Sequence, residues 1–159
     1  MAPNRERPYL YVLPEDDANR QLAIGFLVEY GTTRQAMMLA EANGWHEVLK
    51  IFRDVHVKEM NTNANQHMVL LIDFDGHAER LQQAKTAVPG HLSERVFILG
   101  VLGEPEDLKK AGLGHFAEIG KALAKDCRNG TNETWGHDLL RHNADEVDRL
   151  RERIIPNLL

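Results

Sequence analysis

The sequence predicts an α/β fold: a mostly parallel sheet with helices on both faces and a helical C-terminal extension. Two observations carry that expectation. Three short apolar runs, residues 9–13, 69–72 and 95–102, have the length and continuity of strands buried on both sides. Helix-length segments separate them, too long for hairpin loops, so the strands run parallel through right-handed crossovers. A third observation bears on function, because each run leads straight into acids: Glu15-Asp16-Asp17, Asp73-Phe-Asp75, and Glu104-Pro-Glu106-Asp107. The carboxyl ends of parallel strands lie along one edge, where such sheets bind their ligands, and that is where Glu15, Asp73, Asp75 and Glu106 are expected to meet.

A chain of 159 residues without repeat, low-complexity tract or linker fits one domain. Residues 1–8 read as a flexible lead-in and residues 9–159 as the domain, with its core over about 9–111 and a helical part over 112–159. A net charge of -5 gives no general attraction for a nucleic-acid backbone, so a nucleic-acid partner requires bound cations, a protein partner or a homodimer. The single cysteine, Cys127, excludes an internal disulfide and a cysteine-based zinc cluster. No apolar run approaches the ~18 residues of a membrane span, and the first seven residues are polar, so a cytoplasmic protein without a membrane partner is expected.

In chain order, Tyr9-Leu-Tyr-Val-Leu13 is the first strand, stopped by Pro14. Asp16 or Asp17 can cap the next helix, whereas Glu15 precedes the cap and has no such explanation. Leu22 and Phe26 lie on the buried face of that helix, and Gly31 ends it. Thr32-Thr-Arg-Gln35 matches a capping box, which predicts a second helix with Ala36, Leu39 and Ala40 on its apolar side. Trp45, Val48, Leu49 and Phe52 recur at i, i+3, i+4 and i+7, an amphipathic helix in which Trp45 and Phe52 read as core anchors. Residues 54–60 fit either a half-buried edge strand or an extension of that helix. The Asn-rich turn at 61–65 delivers the chain into the strand ending at Asp73. Residues 78–88 form a helix closed by Pro89-Gly90, and the strand at 95–102 leads into a short helix through Lys110. Helices follow over 115–125 and 135–141, and a last one is capped by Asn143 and stopped by Pro156.

Phosphate-binding glycine loops of the Gly-x-x-x-x-Gly-Lys-Ser/Thr and Gly-x-Gly-x-x-Gly types are absent, as is a Gly-x-Ser-x-Gly elbow. What remains is a set of carboxylates. Two acids separated by one residue share a side of an extended chain, which predicts that Asp73 and Asp75 converge on one cation. Carboxylates without cysteine or a helical histidine pair suit a hard cation, Mg²⁺ or Mn²⁺, and such an ion characteristically acts on phosphates. His77, just past the Asp-Phe-Asp-Gly turn, is a secondary candidate for hydrogen-bonding a phosphate. His137 and His142 read as structural or surface residues.

The order of these motifs resembles the Toprim domain of topoisomerases, bacterial-type primases and overcoming-lysogenization-defect nucleases. Leu-Tyr-Val-Leu-Pro-Glu15 matches its strand-end glutamate and Leu-Leu-Ile-Asp73-Phe-Asp75 its Asp-x-Asp, over roughly residues 9–111. The resemblance implies a Toprim/Rossmann-like sheet, Glu15 as general acid/base or ligand, and Asp73 and Asp75 as Mg²⁺ ligands. It further implies a nuclease or nicking activity on nucleic-acid phosphodiesters, a hydrolase of the kind used in defence against mobile DNA. Asp16 stands where that family usually has glycine and Asn19 where it often has a further acid, which makes both secondary candidates; Glu106 matches an acid that nuclease-type relatives often add. Ile72-Asp73-Phe-Asp75-Gly76 also resembles the first motif of haloacid dehalogenase-like phosphatases, which would make Asp73 a nucleophile and Asp75 its acid/base, although His77 replaces that family's threonine. A noncatalytic Toprim-like binding module within a complex is the remaining alternative.

Overall fold

Alternation of side chains along four short strands divides the interior into two cores, one on each face of the sheet. A computed structural model describes residues 2–31 and 34–158. Its strands are β1 (Tyr9–Pro14), β2 (Ala36–Met38), β3 (Gln66–Leu71) and β4 (Val96–Leu99). All pair in parallel in the order β2-β1-β3-β4. The helices are α1 (Asp17–Glu29), α2 (Trp45–Ile51), α3 (Val57–Thr62), α4 (Arg80–Thr86), α5 (Pro105–Lys110), α6 (Phe116–Asn129) and α7 (Ala144–Arg153). The expected α/β architecture and its C-terminal helix are therefore present.

Leu10, Val12, Val69, Phe97 and Leu99 point to one face, where they meet Leu22 of α1, Ile119 and Leu123 of α6, and Val147 and Leu150 of α7. Tyr9, Tyr11, Leu13, Met68, Leu70, Val96 and Ile98 point to the other, against Val48 and Leu49 of α2, Phe52, Met60 of α3 and Ala84 of α4. This two-sided burial is why the strands are apolar at every position rather than at every second one. On the first face α1 and α6 approach backbone to backbone: a Cβ at Gly25 would run into the Ala117 carbonyl, and one at Gly120 into that of Leu22.

Two local expectations need correction, and one open choice is decided. Residues 36–38 pair with β1 and form β2 instead of beginning a helix, because the parallel register Leu10 with Ala36 and Val12 with Met38 supplies their hydrogen bonds. The capping-box residues Thr32 and Thr33 lie outside the described residues. Of the two readings of residues 54–60, the helix extension is the one observed: the chain stays helical from α2 through a π-helical turn at Phe52–His56 into α3. Residues 135–141 make turns and not a helix, with Trp135 fixed by its backbone N–H to Asp126 and its indole N–H to the Leu123 carbonyl. In the lead-in, Asn4 exchanges hydrogen bonds with the Gln35 side chain and Asn65 donates to the Arg5 carbonyl.

Asn143 precedes α7 as expected, but its side chain does not cap that helix. It reaches the outer edge of β4, accepting from the Gly100 N–H at 3.1 Å and donating to the Gly100 carbonyl at 2.9 Å. Glu146 accepts from the Ile98 N–H at 2.9 Å, and Arg149 donates to the Val96 carbonyl. Side chains of α7 thus occupy backbone groups that a fifth strand would otherwise claim. Among the described residues, no helix is long and apolar enough to cross a membrane.

Candidate metal centre

The strand order places a reversal between β1 and β3. The chain leaves β1 through α1 to reach β2 on one side, then returns past β1 through α2 and α3 to β3 on the other. A crevice opens at the carboxyl ends of two neighbouring strands whose connections depart in opposite directions. Glu15 directly follows β1, and its backbone N–H still donates to the Leu71 carbonyl at the end of β3. Asp73 lies two residues beyond that end.

Three carboxylates come together here: one oxygen each from Glu15, Asp16 and Asp73 lies within 4.8 Å of the others. Asn19 ties them together. Asp16 caps α1, its Oδ1 accepting from both the backbone N–H and the Nδ2 of Asn19 at 2.9 Å, while the same Nδ2 donates to Asp73 Oδ1 at 2.8 Å. Asn19 is fully buried, and Glu15 and Asp73 are 9% and 6% exposed.

Two buried oxygens of this group, Glu15 Oε1 and Asn19 Oδ1, have no hydrogen-bond donor. Orphaned acceptors at such depth are costly unless something positive completes them. Burial pushes the Asp73 carboxyl up to about 8; the Asn19 hydrogen bond opposes the rise, and the neighbouring Glu15 and Asp16 charges add to it. Burial likewise raises Glu15, against a hydrogen bond shared with Asp73 and with the charges of Asp16 and Asp75. Both carboxyls are thus held above their ordinary values by burial and by neighbouring acids, so Asp73 keeps its proton more tightly than a free carboxyl does. A cation can take that proton's place. The three carboxylate oxygens lie close enough together for the triad to converge on such an ion. This buried acidic triad could hold a metal ion.

The remaining expected residues are placed differently. Asp75 does not share a side with Asp73, because β3 ends at Leu71 and the chain turns at Phe74-Asp75-Gly76, with Asp75 at φ 49° and Gly76 at φ 80°. Its exposed carboxylate pairs with Arg80 at 2.8 Å. His77 is exposed, 3.3 Å from the equally exposed Glu79. Glu106 is exposed in the first turn of α5 and is not part of the triad. Asp16 joins the triad while also capping α1.

Arg80 is a residue that sequence reasoning passed over. Its Nη1 donates to the Asp73 carbonyl and to Asp75 Oδ2, both at 2.8 Å, and its guanidinium lies 4.4 Å from the centre of the Trp45 ring. Phe52 is the core anchor its spacing predicts, whereas Trp45 is only partly buried and carries that stack. The available signal was a lone basic residue one helical turn past the Asp-Phe-Asp-Gly turn. His142, read as structural, packs edge-on against Phe74. No family model, curated protein or solved structure matches this chain.

Proposed function

We propose that the chain is a Toprim-like protein that uses Mg²⁺ or Mn²⁺ to act on nucleic-acid phosphodiesters by cleavage or nicking. The observation that carries this reading is the meeting of Glu15 and Asp73 at the carboxyl ends of β1 and β3, one acid from each of two adjacent strand ends. The donor set fits a hard cation, being three carboxylates beside an uncommitted amide oxygen and without sulfur. Glu15, Asp16 and Asp73 would hold the ion, which when bound supplies Lewis acidity and neutralises charge on a phosphate.

Within this reading Asn19 fixes the orientation of Asp16 and Asp73 through the two hydrogen bonds of its amide nitrogen. Glu15, raised by burial and with Oε1 free of protein partners, is suited to accept a proton from an attacking water or return one to a leaving oxygen. The positive charge that a nucleic acid would meet comes from the bound cation, since the chain carries a net charge of -5. Support over the phosphatase alternative comes from the two aspartates themselves. Asp73 is hydrogen-bonded by Asn19 and pressed against Glu15, and Asp75, the acid/base in that alternative, is bound to Arg80.

The test is incubation with Mg²⁺ or Mn²⁺ and supercoiled, nicked and single-stranded DNA, RNA, and a generic phosphomonoester. Metal-dependent strand breaks, lost in Glu15→Gln and Asp73→Asn, are expected. Monoester turnover through an aspartyl-phosphate at Asp73 would overturn this reading in favour of the phosphatase. Cation binding without cleavage of any substrate would leave the noncatalytic module.

A further inference from the structure

Among the described residues, Asp75 and Arg80 are the charged pair nearest the triad that the proposed function leaves without a role. The Asp73 backbone carbonyl and the Asp75 carboxylate are hard oxygen donors that face one point, the kind of place a second divalent ion would take. That place is already filled: Arg80 Nη1 sits 2.8 Å from both oxygens. The guanidinium is held there from behind. Its side chain is 12% exposed, its Cζ lies over the Trp45 ring at 4.4 Å from the centre, and its Nε is buried without a hydrogen-bond partner. Trp45 is itself tied to the end of β1, since the loop that leads into α2 donates from Asn43 N–H to the Glu15 carbonyl at 2.7 Å. Arg80 Nη2 has no partner among the described residues and, unlike Nε, is not buried.

We infer that Arg80 is the second cation of this centre, a built-in positive charge occupying the Asp73 carbonyl and Asp75 so that the triad binds a single divalent ion. The inference rests on the metal reading above and adds its stoichiometry. An arginine stays charged at every accessible pH and can be fixed in direction by stacking, so its position is set before any ligand arrives. With Nη1 engaged, Nη2 is left to hydrogen-bond an oxygen of an anion drawn to the metal. Arg80 is thus a positioning residue for the Asp73 turn and a phosphate-contacting candidate.

Calorimetric titration with Mn²⁺ alone, on the full chain with its fold checked by circular dichroism, reads the number of ions directly. One ion per chain is expected for the wild type and for Arg80→Lys, which keeps a cation in place, and two for Arg80→Met, the second the weaker. Asp75→Asn provides a variant that spares the core. It is expected to keep one ion and to change affinity by less than about fivefold, the scale of one exposed charge. Two ions in the wild type, one ion in a folded Arg80→Met, or a loss of more than about tenfold in Asp75→Asn would overturn the role of Arg80 while leaving the metal centre intact. No ion bound by any variant would overturn the metal reading itself, and this inference with it.

Discussion

A carboxyl group that keeps its proton to about pH 8 contributes a sensitivity to base rather than to acid. Asp73 has an ordinary value of 3.8 and is raised by burial and by the Glu15 and Asp16 charges, so the folded state binds the proton more tightly than the unfolded one. Its contribution to stability is complete below pH 3.8 and is lost as pH rises to about 8. In EDTA, Asp73→Asn is therefore expected to stabilise the protein at pH 8 by about 2 kcal/mol, visible as a higher Tm, while abolishing any rise in Tm on adding Mn²⁺. An unchanged or lower Tm would remove the argument for a strained carboxyl pair. Asp126 has the opposite sign. Burial alone would raise it, but hydrogen bonds from Thr131 Oγ1 and from the backbone N–H groups of Glu133, Thr134 and Trp135 hold it below the usual range. Asp126→Ala should cost about 2–3 kcal/mol near neutral pH, with the difference from wild type shrinking in urea melts as pH falls through the folded value. At this scale the sequence was a partial guide. Glu15 and Asp73 were legible because a strand's end fixes where the next side chain goes. The partnership of Asp75 was not, because alternation of sides holds only while the chain is extended, and the left-handed turn at Asp75 breaks it.

Elements were legible in proportion to how much of their stability is local. The apolar runs of β1, β3 and β4 announce themselves because both faces are covered, whereas β2 is three half-buried residues whose existence depends on a register with β1. The segment at 135–141 is expected from the sequence to be helical, yet Trp135 is held by contacts with Asp126 and Leu123 of α6. The packing of α1 on α6 shows the same dependence on distant residues. Gly120→Ala places a methyl group against the Leu22 carbonyl and should cost about 1–3 kcal/mol in chemical denaturation, more than Gly90→Ala, where nothing lies within 4 Å. The outer edge of β4 gives a sharper case. Glu146 is 2% exposed, accepts from the Ile98 N–H and pairs with Lys85 and Arg149. Glu146→Ala leaves two cations and a backbone donor unanswered, and a loss of about 3 kcal/mol is expected in a urea melt.

For the molecule as a whole, binding at the strand ends is linked to folding, since the triad is assembled from β1, α1 and the turn after β3 only when the sheet is formed. An ion present at a hundred times its Kd should add about 2.7 kcal/mol, which for a domain of this size corresponds to roughly 5–11 °C in Tm, reversed by EDTA. No shift with Mg²⁺ or Mn²⁺ at millimolar concentration would count against a metal site. The same linkage runs along the far side of the sheet. Asn143 grips Gly100, no Cβ fits between Gly100 and the Ile72 carbonyl, and Ile72 is the residue before Asp73. The acidic centre thus hangs from a bracket bolted 70 positions further along the chain. A mutational scan of the proposed activity would accordingly light up Asn143 and Glu146 as though they were a second site, when what they supply is the suspension of the first.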